Sequence, residues 1–262
     1  MKTNCSLFEM KKFISVIPTF IKLPLRIGKK IVYLFMYYGK NRWCPVCGKP
    51  SRKFLEFGIN PRENALCPHC NSLERHRFVW LYFKKKTNLF KDSHKKLLHI
   101  APEKCLEKKF RKLLKRRYLT ADLSGSGAMI KMDITNIDYP AESFDVIYCS
   151  HVLEHVPDDK KALREFYRVL KSDGFAILIV PLSAGKTFED LTIRDANERL
   201  KKFGHEDHVR SYGPDFIERL KEAGFKVSYT QVSDLFDNKD AEYMGLKGTG
   251  MASGDIYHCK KE

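Results

Sequence analysis

From residue 97 onward, short apolar runs alternate with stretches whose apolar residues recur at helical spacing. The runs 97–101, 118–122, 130–133, 144–149, 175–180, 226–231 and 255–259 read as strands. Helices are expected over 103–116, 158–170 and 214–223, the last stopped by Gly224. In the first helix Leu106, Phe110, Leu113 and Leu114 make one apolar stripe, leaving Lys108, Lys109, Arg111, Lys112, Lys115 and Arg116 to face water. Strands alternating with helices predict an α/β fold, a doubly wound and mostly parallel sheet. Such a sheet binds its ligand beyond the carboxyl ends of the strands. Candidate chemistry is therefore sought in the residues just after each strand.

The first strand runs into Ala101-Pro102-Glu103, the second ends in Asp122, the third in Asp133-Ile134, and the fourth runs into Ser150-His151. A carboxylate at the end of the second strand is placed to accept both hydroxyls of a ribose. Asp133 can accept from an adenine amino group while Ile134 packs on the ring. Each Asp also suits a turn-capping role, and it is their joint placement that predicts a nucleoside-bearing cofactor.

Phe144-Asp145-Val146-Ile147-Tyr148-Cys149-Ser150-His151-Val152-Leu153-Glu154-His155, the later Ala162-Leu163-Arg164-Glu165-Phe166-Tyr167-Arg168-Val169-Leu170 and then Pro181 resemble the class I S-adenosylmethionine-dependent methyltransferases. The branch most resembled is that of small bacterial enzymes acting on small or lipid-linked molecules, and the likeness covers about residues 97–260. It implies a seven-stranded Rossmann-like sheet whose last strand runs antiparallel, with S-adenosylmethionine as cofactor. It also implies that Asp122 binds the ribose, that Asp133 and Ile134 hold the adenine, and that Ser150 and His151 line the reacting end. The chain departs from the family where a glycine-rich first loop is usual: His99-Ile100-Ala101-Pro102-Glu103 has no glycine. Ala101 would partly take over the close approach, and Glu103 could meet the cofactor's ammonium group.

His151, Glu154 and His155 are the candidate acid–base residues, since spacings of three and four bring side chains together on a helical turn. A second cluster, Gly204-His205-Glu206-Asp207-His208-Val209-Arg210-Ser211-Tyr212, falls between the fifth and sixth strands, where the family places a substrate cover. His208, Arg210 and Tyr212 are expected to contact a polar or anionic acceptor. His205, Asp207 and His208 are also of metal-ligating type, but acceptor contact is the preferred reading.

Upstream, Cys44-Pro45-Val46-Cys47-Gly48 and Cys67-Pro68-His69-Cys70 are two Cys-x-x-Cys turns at ribbon-like separation. Cys44, Cys47, Cys67 and Cys70 are predicted to bind a structural Zn²⁺ with no open position. The chain thus divides into a basic arm (1–42), a zinc-ribbon module (43–83) and a methyltransferase domain (84–262). Cysteine usage of this kind suits a reducing, cytoplasmic location.

Charge sharpens the picture last. The 262 residues carry a net +16, divided as +8 over 1–43, +3 over 44–83, +11 over 84–117 and −6 over 118–262. A polyanionic partner would therefore have to meet the first 117 residues. Residues 13–38 are apolar-rich, but Pro18, Lys22, Pro24, Arg26, Lys29 and Lys30 interrupt them and leave the eight residues 31–38 as the longest apolar run. Spanning a bilayer takes about 20, so the arm is expected either to pack on the protein or to lie peripherally on an anionic membrane. The expected activity is methyl transfer to a small-molecule, sugar or lipid-linked acceptor. An RNA base as acceptor and cofactor binding without catalysis are the alternatives, and no DNA partner is expected.

Overall fold

The computed structural model describes residues 36–58, 60–248 and 254–261. Most of the basic arm, 1–42, lies outside them. Among the described residues no helix is long and apolar enough to cross a membrane.

The cysteine region is two small antiparallel hairpins, β1 (Arg42–Cys44) with β2 (Lys49–Ser51) and β3 (Leu55–Phe57) with β4 (Arg62–Leu66). Each cysteine pair is followed by a left-handed residue, Gly48 at φ 73° and Asn71 at φ 58°, two residue types that tolerate that conformation. Each turn is closed by a backbone bond, Gly48 N–H to Cys44 O at 2.8 Å and Asn71 N–H to Cys67 O at 2.9 Å. Helix α1 (Glu74–Lys86) comes next. Phe78, Val79, Trp80, Leu81, Tyr82 and Phe83 are consecutive and all buried, so α1 is covered all round and has no polar face along this stretch. The division expected between residues 83 and 84 falls inside this helix.

The sheet region begins with β5 (Leu97–Ile100), α2 (Lys104–Leu114), β6 (Tyr118–Asp122), β7 (Ile130–Lys131), β8 (Phe144–Ser150), α3 (Asp159–Val169) and β9 (Leu170–Ile179). The cover segment holds β10 (Phe188–Glu189), α4 (Ala196–Phe203) and β11 (Arg210–Ser211). The chain closes with α5 (Phe216–Glu222), β12 (Lys226–Thr230), α6 (Asn238–Tyr243) and β13 (Ile256–Lys260). Seven strands form one sheet in the order β12-β13-β9-β8-β5-β6-β7. The β5, β6, β7, β8 and β9 pairings are parallel, and β13 runs antiparallel to both neighbours. This is the doubly wound Rossmann-like sheet with an antiparallel last strand that the sequence implied.

The differences are local. β7 stops at Lys131 rather than residue 133 because the Asp133 side chain turns back onto Thr135. Leu113 of the expected stripe is exposed, while Leu106, Phe110 and Leu114 are buried. Phe110 sits in an aromatic cluster with Trp80, Phe83, Phe90 and Tyr118, at centroid distances of 5.7, 5.3, 6.0 and 5.8 Å. One apolar core thereby runs from Cys44 and Cys67 through α1 to Tyr148 and Ile177 of the sheet. Arg77 is fully buried and donates to the carbonyls of Ser72, Ala65 and Gly245, tying the hairpins to the loop after α6.

Candidate active site

The chain reverses its direction across the sheet between β5 and β8, and that reversal opens a crevice at their carboxyl ends. A cavity of about 560 Å³ lies there, lined among others by Ala101, Asp122, Asp133, Ile134, His151 and His155. Its size suits a cofactor-sized ligand. Two non-glycine residues on its wall are left-handed: Ala101 at φ 47° and His151 at φ 54°. They end the two central strands, and each is held by a backbone bond, Ala101 N–H to Ala121 O at 2.8 Å and His151 N–H to Ile179 O at 2.9 Å. Such conformations cost about 1–3 kcal/mol each and gather where a site demands them.

Asp122 and Asp133 both form turns. Oδ1 of Asp122 accepts from Ser124 N–H at 2.8 Å and Ser124 Oγ at 2.5 Å, and Oδ1 of Asp133 accepts from Thr135 N–H and Oγ1, each at 2.8 Å. The turn-capping role and the place on the crevice wall therefore coexist. Ser150 is buried, its Oγ without a hydrogen-bond partner among the described residues. Glu103 is drawn away from the crevice wall. It accepts from His99 Nε2 at 2.8 Å and Tyr148 OH at 3.1 Å, with His76 Nε2 at 3.6 Å. Burial opposes its charge, but the His99 bond and the His76 and His99 rings hold the carboxyl down at about 2. Its donors here come from the protein, at the residue where the sequence reading expected the cofactor's ammonium group.

His151 and Glu154 form the pair the spacing suggested, with Nδ1 3.4 Å from Oε1. Glu154 is only 1% exposed. Burial pushes the His151 imidazolium down, with Arg75 adding to it, so the ring is neutral at pH 7. Nε2 of His151 is buried and has no protein partner among the described residues. With Nδ1–H assigned toward Glu154, Nε2 carries the lone pair of a base. His155 does not join this pair. It closes a short turn, Leu153–His155, and its ring meets those of His205 and His208 at 5.7 and 4.7 Å. His208 is buried, which holds its pKa down at about 4.

Arg210 and Tyr212 correct the sequence reading. Arg210 is 1% and Tyr212 0% exposed. The Arg210 guanidinium donates to Leu153 O at 2.7 Å, to Val156 O, to Pro157 O at 2.8 Å and to Glu189 Oε2 at 3.0 Å. Tyr212 OH donates to Asp159 Oδ2 at 2.6 Å, and Arg219 grips the same carboxylate at 2.8 Å. These side chains bind the turn after His151 to the cover segment, with their polar groups engaged by protein partners; nothing along the chain signals that the guanidinium's partners are backbone carbonyls. Arg210→Ala is expected to cost about 3–5 kcal/mol, as when one member of a buried charged network is removed. Arg210→Lys should recover little of this, lacking the planar fork. Urea unfolding midpoints read both, and an unshifted midpoint in the Ala variant would return Arg210 to a substrate role.

Comparison with known proteins bears on this geometry. Residues 92–178 match the family model described as a methyltransferase domain. The matched segment runs from just before β5 to the end of β9, so it contains Ala101, Asp122, Asp133, His151 and Glu154. It excludes the four cysteines and the cover. The uncharacterized methyltransferase YcgJ of Bacillus subtilis is 33% identical over 75 residues, 29% of this chain and 28% of that protein. The ubiquinone biosynthesis O-methyltransferase of Neisseria meningitidis serogroup C is 30% identical over 115 residues, 39% of this chain and 48% of that protein. The match thus spans less than half the length of either relative. Among solved structures, the [4+2]-cyclase SpnF overlaps 82% of this chain and 90% of its own, with a TM-score of 0.49 and 18% identity.

Outside the matched segment, the four cysteines converge. Cys44 Sγ is 3.6 Å from Cys70 Sγ, Cys47 Sγ is 3.8 Å from Cys67 Sγ, and all four sulfurs lie within 4.8 Å of one another. Tetrahedral zinc with bonds of about 2.3 Å places its sulfurs about 3.8 Å apart, so the donor set fits that ion. Ser72 Oγ lies 3.2 Å from both Cys44 and Cys70 sulfurs, positioned to donate to one thiolate at a time. His69 stays outside the group, its Nε2 3.3 Å from Pro50 O.

Proposed function

We propose that this protein transfers a methyl group from S-adenosylmethionine to a hydroxyl of a small-molecule, sugar or lipid-linked acceptor. One observation carries the reading: a single crevice, within the stretch that matches a methyltransferase domain, gathers the Asp122 and Asp133–Ile134 wall and the His151–Glu154 pair. The sulfonium of S-adenosylmethionine supplies an already activated methyl group, leaving the protein to align the acceptor and exclude water.

Asp122 would take the ribose hydroxyls, Asp133 would accept from the adenine amino group, and buried Ile134 would pack on the ring. Ala101, left-handed and without a side chain beyond Cβ, would let the backbone approach where a glycine is usual in the family this chain resembles. His151 Nε2 would accept the acceptor's proton while Glu154 holds Nδ1–H and steadies the ring as it gains charge. A base in this position serves an acceptor that must lose its proton, and of the two such acceptors, a hydroxyl and a protonated amine, the hydroxyl is the one proposed. An oxygen acceptor is consistent with the Neisseria relative's name, an O-methyltransferase of ubiquinone biosynthesis. Cys44, Cys47, Cys67 and Cys70 would hold a structural zinc ion with no position left for substrate.

Isothermal titration with S-adenosylmethionine tests the reading. The wild type should bind. Asp122→Ala should bind about 100-fold more weakly, the loss of a charge-assisted hydrogen-bond pair worth about 3 kcal/mol. A wild type that takes up no S-adenosylmethionine would overturn the reading.

A further inference from the structure

The crevice rim carries a feature that methyl transfer does not require. His155 comes from the turn after β8, and His205 and His208 come from the loop after α4, fifty residues later in the chain. One ring nitrogen from each lies within 4.8 Å of the others. The His155 ring stands at 82° to that of His208 with centroids 4.7 Å apart, and the His205 and His208 rings stack at 4.8 Å. His208 is buried, and its Nδ1 lies 3.3 Å from Phe203 O. A donated Nδ1–H there fixes the tautomer and leaves Nε2 as a lone-pair donor, the outer-shell arrangement of metal-binding histidines.

We infer that His155, His205 and His208 bind a divalent transition-metal ion of the imidazole-preferring class, such as zinc, cobalt or nickel, at the rim of the crevice. Three neutral imidazoles with at least one position left over make an open site, whereas the four cysteines make a closed one. Ligand nitrogens around such an ion stand about 3.3 Å apart, so the rings must draw in by about an ångström. His155 is exposed and His205 half-buried, and the loop that carries His205 starts at left-handed Gly204. His205 gives up one bond in closing, the 3.1 Å contact its Nδ1 accepts from Asp207 N–H.

His155 also lines the crevice. An ion held there has its remaining positions open to an oxygen ligand, and it would orient and acidify an acceptor hydroxyl beside the His151 base. That last step rests on the crevice being the transfer site, which the S-adenosylmethionine titration tests separately. Metal binding itself does not depend on it.

The test uses the untagged full chain with the cysteine site left zinc-loaded. Cobalt(II) is titrated in and followed by calorimetry and visible absorption. Ions on imidazole give d–d bands alone, whereas exchange into the cysteines adds a thiolate-to-cobalt charge-transfer band. The expected result is one added equivalent without that band, weakened at least about 10-fold in both His155→Ala and His205→Ala. Both variants replace rim side chains, and unchanged urea midpoints would show that the fold survives. No cobalt uptake beyond exchange into the cysteines would overturn the proposal, as would unaltered affinity in both variants.

Discussion

His151→Asn is expected to lower kcat by about 10²–10⁴-fold, the usual contribution of a positioned base, while S-adenosylmethionine affinity stays within a few-fold of wild type. Asparagine is the informative replacement because position 151 sits at φ 54°, a conformation Asn adopts more readily than Ala. A loss of rate then reports the imidazole and not a rebuilt turn. The pH profile gives a second readout. The base works unprotonated, and burial depresses its pKa below the ordinary histidine value. In the wild type kcat/KM should therefore rise with pH through a midpoint under about 6.5 and be flat at neutrality. The Asn variant should lack that limb. Glu154→Gln removes a neighbour that favours the protonated ring, so its limb should move to still lower pH as its rate falls. A wild-type kcat in His151→Asn would remove the base from the mechanism.

Cys67→Ser should have the largest effect on stability. Cys67 is fully buried between β4 and α1, and a structural zinc in small domains contributes about 10–16 kcal/mol to folding. Even a third of that approaches the roughly 5–15 kcal/mol by which a whole domain is usually stable. Because the core is continuous from the cysteines to Tyr148 and Ile177, the loss should reach the sheet. Circular dichroism melting should show one transition lowered by about 10 °C or more, and chelation of the wild type should reproduce it. A sheet transition unmoved by either treatment would show that the cysteine region is a passive attachment.

The sheet was legible from the sequence because its strands are short apolar runs set apart by amphipathic helices; all seven were anticipated, with edges off by a few residues. Helix α1 was not, since Phe78 to Phe83 present apolar side chains in every direction and leave no helical period to detect. The carboxylates after β6 and β7 and the His151–Glu154 pair were legible because each depends on local order along one strand or turn. Arg210 and Tyr212 were misjudged for the opposite reason. Their partners lie on a turn more than fifty residues upstream, and a charged side chain that spends its donors on backbone carbonyls looks, in sequence, like one awaiting a ligand. His155 went unpaired with His205 and His208 for the same reason, since only the cover folding back over β8 brings them together.

The shared core also sets an order of events during synthesis. Cys67 and α1 leave the ribosome well before residues 144–179, whose strands complete their cover. At an elongation rate of about 5–20 residues per second, the aromatic surface of α1 waits about 5–20 s for its other half. Metal captured in that interval would fix the hairpins early, while a cell short of the ion would leave that surface open to aggregation. The yield of soluble protein should thus follow zinc supply at the time of translation more closely than zinc added to the finished chain.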